Sequence, residues 1–309
     1  MGNNNIVGWY TKNGKHIPIF DNNTVVDINE QKKQRDIQRN QILAESLNNP
    51  KYKLSEKQLK DLENQHYREF DGEPDGVGIF GSRLYEEESS DEVSKQMLSI
   101  TNADSLIRKI RDGETDADIK DEKAYRAFED WTVGEFMDGQ QYRGFGRMTE
   151  RCQNLTRQYD KYLDQSTLKE GITVVRRSTP QLLGLPKYYG GADYDSFPPE
   201  DLLTDIKDRQ GCIIRSLGNM STSCASRALH INNSEPLLIE YHIHIPGGSK
   251  GAGMWIGDSR LNDEWGSTQR EFMMNRDTVY AVGSASRDSK NKMFVVHLYY
   301  IGREEHRYK

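Results

Sequence analysis

The chain has 309 residues, 35% of them hydrophobic and 29% charged, with 42 basic and 48 acidic side chains and a formal net charge of −6. That length supports one large domain or two modest ones with a full hydrophobic core, and the composition suits a well-solvated globular protein with polar outer segments. Charge is near balance throughout, 16 basic and 20 acidic residues over 1–114 and 26 and 28 over 115–309, which disfavours holding nucleic acid mainly through its phosphates. No apolar run reaches the length of a transmembrane helix. Residues 1–10 lack the charged start and apolar core of a secretion signal, and Ile6 stands where N-myristoylation after Gly2 would need Ser or Thr. Cys152, Cys212 and Cys224 are odd in number and follow no metal or redox spacing, so they are expected to be reduced and structural. The expected place of action is a cytosol, the producing cell's own or that of a target cell after delivery.

In chain order, residues 6–20 hold two β-prone runs around Asn13-Gly14, the dipeptide that a tight hairpin prefers. The piece resembles a short element of phage structural and head-assembly proteins, although an ordinary surface hairpin is the simpler account. Residues 28–47 and 54–70, the latter starting at Ser55, read as helices with a thin apolar stripe and a wide polar face. Residues 70–92 carry four glycines and then an acidic run through Glu92, the composition of a linker. No Lys-Ser/Thr follows those glycines, which disfavours a phosphate-cradling loop. Residues 1–114 are thus expected to form a mainly helical appendage, and 115–309 a separate domain.

That second part opens with amphipathic helices around Tyr125, Phe128, Trp131 and Phe136, then a longer one over 147–164. Beyond Gly171 come strand-like runs near 172–177, 237–245, 277–282 and 293–301. Their alternation predicts half-buried antiparallel strands, and helices followed by strands predict an α+β domain.

Three short islands carry chemistry. Val175-Arg176-Arg177-Ser178-Thr179-Pro180-Gln181 puts two guanidiniums at a strand end, where one can clasp a carboxylate or phosphate in bidentate fashion. Met220-Ser221-Thr222-Ser223 alternates hydroxyls at a strand start, a pattern that often only satisfies backbone groups. Thr268-Gln269-Arg270-Glu271, read as strand, places an amide and a carboxylate on one face. It follows a polar loop containing Gly257, Trp265 and Gly266. Each island alone is accounted for by a solvated strand end.

In this order and spacing, the islands resemble the arginine–serine–glutamate class of ADP-ribosyltransferases, most nearly the enzymatic components of clostridial binary toxins. The likeness covers roughly residues 115–309, including the helices from Trp131-Thr132 to Asn154-Leu155-Thr156-Arg157. It implies N-terminal helices packed on a two-sheet antiparallel β-sandwich, and an NAD-dependent protein mono-ADP-ribosyltransferase that takes NAD as substrate and needs no metal. The resemblance gives Glu271 the role of stabilising the oxocarbenium-like transition state, with Ser221 orienting it. It gives Arg176 the NAD phosphates and ribose, Arg177 the position of the nicotinamide clamp, Gln181 the nicotinamide end, and Thr222 and Ser223 the pocket wall.

Departures from the family pattern are as informative. Val175 and Met220 replace family aromatics. Glu235 stands where many relatives have an arginine, which leaves Arg227 to take a phosphate role. Gln269 replaces the glutamate of arginine-modifying members, and an amide carries no charge to attract a guanidinium. Gln-x-Glu resembles instead the Rho-modifying exoenzymes, which act on asparagine, and members that modify guanine bases. The expected target is therefore a non-arginine side chain of a protein, GTPase-like or actin-like, contacted by Trp265. A nucleic acid target and a membrane are disfavoured. Transfer to a base, hydrolysis of NAD by water, and a non-catalytic docking or virion copy of the fold are the alternatives.

Overall fold

The computed structural model describes residues 6–12, 15–20, 53–71, 87–113, 115–132, 150–178, 180–185, 199–216, 218–227, 239–257, 261, 270–288 and 293–303. Strands β1 (Ile6–Lys12) and β2 (Lys15–Phe20) pair antiparallel with Lys12 opposite Lys15, as the intervening Asn-Gly predicts. The turn itself and the helix expected over 28–47 lie outside the described residues.

Helix α1 (Glu56–Glu63) begins with a capping box: the Ser55 hydroxyl accepts from the Gln58 N–H at 3.3 Å, and Gln58 Oε1 accepts from the Ser55 N–H at 3.0 Å. It is shorter than the helix expected through residue 70. The chain leaves it at Asn64 because a tertiary partner takes the backbone: Arg68 N–H donates to Gly171 O at 2.7 Å, and Thr173 N–H donates to Arg68 O at 2.9 Å. Satisfied sheet-like bonds here outweigh local helix propensity. Residues 66–71 thus run as a strap along the start of β3 (Ile172–Ser178), with Phe70 driven into the core.

Helices α2 (Glu87–Ile100), α3 (Ala103–Ile110), α4 (Glu122–Thr132) and α5 (Glu150–Leu163) follow. The acidic run expected as linker therefore opens α2 from residue 87. Val93, Met97 and Ile100 of α2 and Leu106, Ile107 and Ile110 of α3 share one core with Phe128 of α4, Tyr159 of α5 and the sheet. These α2 and α3 side chains precede the boundary expected at 114/115.

The remaining elements are α6 (Pro199–Lys207), β4 (Ile213–Ser216), β5 (Met220–Ser223), β6 (Ile239–Ile245), β7 (Gly253–Trp255), β8 (Glu271–Met274), β9 (Thr278–Asp288) and β10 (Met293–Arg303). The α+β class stands, and with β3 these strands form one eight-stranded mixed sheet, β4-β9-β10-β6-β3-β5-β8-β7. β10 and β6 run parallel. The five strands from β4 to β3 join the three from β5 to β7 through a single residue pair, Val175 with Ser223. Where β5 has not yet met β3, the strap occupies that edge.

Side-chain alternation sorts the five-stranded part. Ile239, Tyr241, Ile243 and Ile245 of β6 join Phe294, Val296 and Leu298 of β10 in the main core. Glu240, His242 and His244 therefore face the other side. There Leu59 of α1 packs on Ala281 and Tyr299, flanked by Leu54, Leu62 and Tyr67, each buried aliphatic side chain contributing roughly 1.5–3 kcal/mol.

Candidate active site

The single junction of the sheet is where the three islands meet. Cross-strand pairing lines up Val175 of β3, Ser223 of β5 and Glu271 of β8, so their side chains share one face. One residue further along β3, Arg176 donates from Nη1 to the carbonyl of Ser221 at 2.6 Å, a contact between residues 45 apart in sequence. Ser221 is half-buried, Ser223 is buried, and Glu271 is 3% exposed. The Thr222 hydroxyl donates to Phe272 O at 2.6 Å and fastens β5 to β8. Arg176, Ser221, Thr222, Ser223 and Glu271 thus lie at one junction, with Arg176 and Thr222 alternating to the face opposite Val175, Ser223 and Glu271.

The backbone around Glu271 is closely held. Its carbonyl accepts from the N–H groups of Ile256 and Gly257, at 3.0 and 3.1 Å. A Cβ at Gly257 would sit 2.6 Å from the Trp255 ring and 3.1 Å from Glu271 N, so only glycine allows this approach. On the other side, the Cys224 N–H donates to the carbonyl of Arg270 at 2.9 Å. Arg270 has φ +48° and the strand starts only at Glu271, so the two-residue period expected over 269–271 does not carry back through Arg270. Gln269 and Trp265 lie outside the described residues, as does the side chain of Gln181, whose backbone forms a 3-10 turn, Pro180–Leu183.

Arg177 points the other way from Arg176. It stands opposite Glu240 in the β3–β6 register, with Nε 3.5 Å from Oε2. Arg227 approaches the same carboxylate at 3.6 Å and binds Asp288 at 2.8 Å, and His242 Nε2 lies 3.1 Å from Glu240 Oε1. Glu240, with its side chain 2% exposed, is therefore ringed by cationic or ring-nitrogen groups, which is what a buried carboxylate requires. Nε and Nη1 of Arg177 are buried and have no hydrogen-bond acceptor among the described residues.

Sequence reasoning missed this cluster and its continuation. His244 meets Thr173 Oγ1 at 2.9 Å through Nδ1 and His297 Nδ1 at 2.8 Å through Nε2, and its ring stacks on Tyr299. Burial, with His297 and His242 nearby, pushes His244 down to about 3; burial and His242 push His297 down to about 4. Both rings are neutral at pH 7. The signal was present in the strand 239–245, where Glu, His and His recur at every second residue. Among the described residues, no three His, Cys, Asp or Glu side chains are placed to hold a metal, and no helix is long and apolar enough to cross a membrane.

An arginine, a Ser-Thr-Ser run and a buried glutamate from three strands thus meet at the junction of the mixed sheet. The model of the ADP-ribosyltransferase exoenzyme family matches residues 139–300, more than half of the chain, and the chain belongs to that family. Its fold is similar to that of C3stau2 from S. aureus, solved with NAD, at 19% identity and TM-score 0.51, over 73% of this chain and 100% of that one. Plx2a, an ADP-ribosyltransferase toxin from Paenibacillus larvae, matches at 16% identity and TM-score 0.53, over 69% and 96% of the two chains. The Clostridium limosum C3 exoenzyme matches at 16% identity and TM-score 0.52, over 76% and 98%. At such identities the likeness is one of fold. No curated protein sequence matches the chain.

Proposed function

We propose that this chain cleaves NAD between nicotinamide and ribose and transfers ADP-ribose to a non-arginine side chain of a protein. The observation that carries the reading is the alignment of Val175, Ser223 and Glu271 across three strands with Arg176 fastened to Ser221 beside it. As the bond breaks, its electron pair leaves with nicotinamide and positive charge grows on the ribose. A carboxylate fixed at that position stabilises this charge, and one such preorganised group is worth about 3–4 kcal/mol in comparable sites. Glu271 takes that role, and Ser221 orients it. Arg176 presents its guanidinium to the phosphates, while Thr222 and Ser223 hold the wall. Buried Arg177 nitrogens without an acceptor among the described residues suit an anionic or amide-bearing ligand, and Gln181 serves the nicotinamide end. Arg227 is committed to Asp288 and Glu240, so we assign it to supporting Arg177 rather than to phosphate.

The catalytic unit on this reading begins near residue 53 rather than 115. The strap, α2 and α3 contribute to the same core, and the similar structures span 69–76% of the chain, more than the 195 of 309 residues beyond 114. The choice of acceptor rests on Gln269, two residues before Glu271, whose uncharged amide suits an Asn-like partner, with Trp265 in the target contact.

The test is incubation with labelled NAD and a cell lysate, following nicotinamide release and the fate of the label. Glu271→Gln is expected to lose nicotinamide release, and full turnover in that variant would sink the site. Gln269→Ala is expected to keep NAD cleavage and lose transfer. Label on nucleic acid, or NAD loss with no labelled macromolecule, would overturn the protein-target assignment.

A further inference from the structure

Arg270 immediately precedes Glu271, yet its side chain is turned into the protein. It is 1% exposed, and its Nη1 donates to the backbone carbonyl of Asp71 at 2.6 Å, across 199 residues. Asp71 is the end of the strap. That strap is itself fixed by the two hydrogen bonds of Arg68 to the start of β3 and by Phe70 in the core. Arg270 also adopts φ +48°, a left-handed conformation that a residue with a long side chain enters only when its surroundings impose it. The peptide joining Arg270 to Glu271 is therefore held from both ends. Arg270 O is bonded to Cys224 N–H, Glu271 O to Ile256 and Gly257 N–H, and the Arg270 side chain is tied to the strap.

We infer that Arg270 is a positioning residue for Glu271, and that the strap at residues 66–71 is the anchor through which it acts. The inference rests on Glu271 being the catalytic carboxylate. Its physical content is geometric: the strap sits on the edge of β3, which also carries Arg176, so the tie from Arg270 to Asp71 fixes β8 relative to β3 at the sheet's single-pair junction. Without the tie, one residue pair and the Arg176–Ser221 contact hold that spacing. A displacement of a catalytic group by about 1 Å costs on the order of a hundredfold in rate, so even partial slackening is readable.

The experiment compares full-length wild type, Arg270→Gly, Arg270→Lys and Glu271→Gln for nicotinamide release from NAD. Glycine accepts the left-handed backbone and removes the tie together with the rest of the buried side chain, whose space guanidinium ion can refill; lysine keeps a cation and one possible bond to Asp71 O. For Arg270→Gly, kcat is expected to fall about tenfold or more with KM for NAD within about twofold, and added guanidinium ion is expected to recover part of kcat. Arg270→Lys is expected to fall between Arg270→Gly and wild type. Wild-type kcat in Arg270→Gly overturns the inference, as does a loss that moves kcat, KM and melting temperature together without recovery by guanidinium. Should Arg270→Gly not fold, Arg270→Lys decides: kcat lowered at unchanged KM supports the role, and wild-type kcat removes it. Turnover surviving in Glu271→Gln would instead fell the catalytic assignment beneath it.

Discussion

Two neighbouring arginines on one strand divide the molecule into regions that use buried polarity in opposite ways. On the Arg176 side, toward β5 and β8, polar side chains bond to backbone: Arg176 to Ser221 O, Thr222 to Phe272 O, Arg270 to Asp71 O. On the Arg177 side, toward β6 and β10, they bond to one another: Glu240 among Arg177, Arg227 and His242, Arg227 with Asp288, His244 with Thr173 and His297. Bonds to backbone fix where strands lie and set the position of Glu271. Bonds among side chains neutralise one another, and losing one member exposes the rest. The first region should therefore show its mutations in rate, and the second in stability.

The largest expected effect tests that division directly. Glu240→Ala leaves Arg177 and Arg227 in a buried site without their shared carboxylate, and removing one partner of such a group costs about 3–5 kcal/mol. Denaturant unfolding should show a loss of that size; because Arg177 is also assigned to the ligand, KM for NAD should rise, while kcat per folded molecule stays within a few-fold of wild type. Glu271→Gln should do the reverse. Its nicotinamide release should drop by roughly 10² to 10³, equivalent to about 3–4 kcal/mol, with the unfolding midpoint almost unmoved. A Glu240→Ala protein that is stable but inactive would erase the distinction between the two regions.

Much of the site region was legible in the sequence because local patterns there coincide with the elements. The arginine island covers the end of β3, Met220–Ser223 coincides with β5, and the island from Thr268 runs into the start of β8; order plus spacing grouped them. Ser55 marked its helix start by a cap that needs only four residues. What stayed hidden depends on long-range partners. The strap at 66–71 looked helical because its bonds to Gly171 and Thr173 are invisible locally. Likewise, Glu87–Glu92 looked like linker because the core that recruits Val93 and Met97 lies far along the chain. Arg270's left-handed turn has no signal in a residue type that rarely adopts one. The Glu240–His242–His244 alternation was visible as a strand, but its partners Arg227, Asp288 and His297 come from three other segments.

Acid should sharpen the comparison, because the titratable rings lie on the Arg177 side. His244 at about 3 and His297 at about 4 are neutral when folded and regain a pKa near 6.5 when unfolded. Below pH 6.5 the unfolded chain binds more protons than the folded one, so stability falls as pH falls and is fully present above that value. Between pH 6.5 and 5 the loss should be roughly 3 kcal/mol, divided about equally between the two rings. Urea titrations across that range measure it, and His244→Gln should about halve the slope. An unchanged slope in His244→Gln would assign the acid sensitivity elsewhere.

The smallest effect is also the most local. Thr173 sits on β3 three residues before Arg176, and its hydroxyl meets His244 Nδ1 at 2.9 Å in a buried setting. Thr173→Val keeps the shape, and the backbone bond from residue 173 to Arg68 is retained, so only the hydroxyl's hydrogen bond is lost. One such bond contributes about 1 kcal/mol, and that loss should appear at pH 7.5 with NAD cleavage unchanged. The low pKa of His244 comes from burial, His297 and His242, none of which the substitution touches, so the pH dependence of mutant and wild type should run parallel. Converging curves would mean that the Thr173 hydroxyl itself holds the ring neutral. A changed rate would mean that β3 passes a disturbance from the Arg177 side to Arg176, against the separation drawn between them.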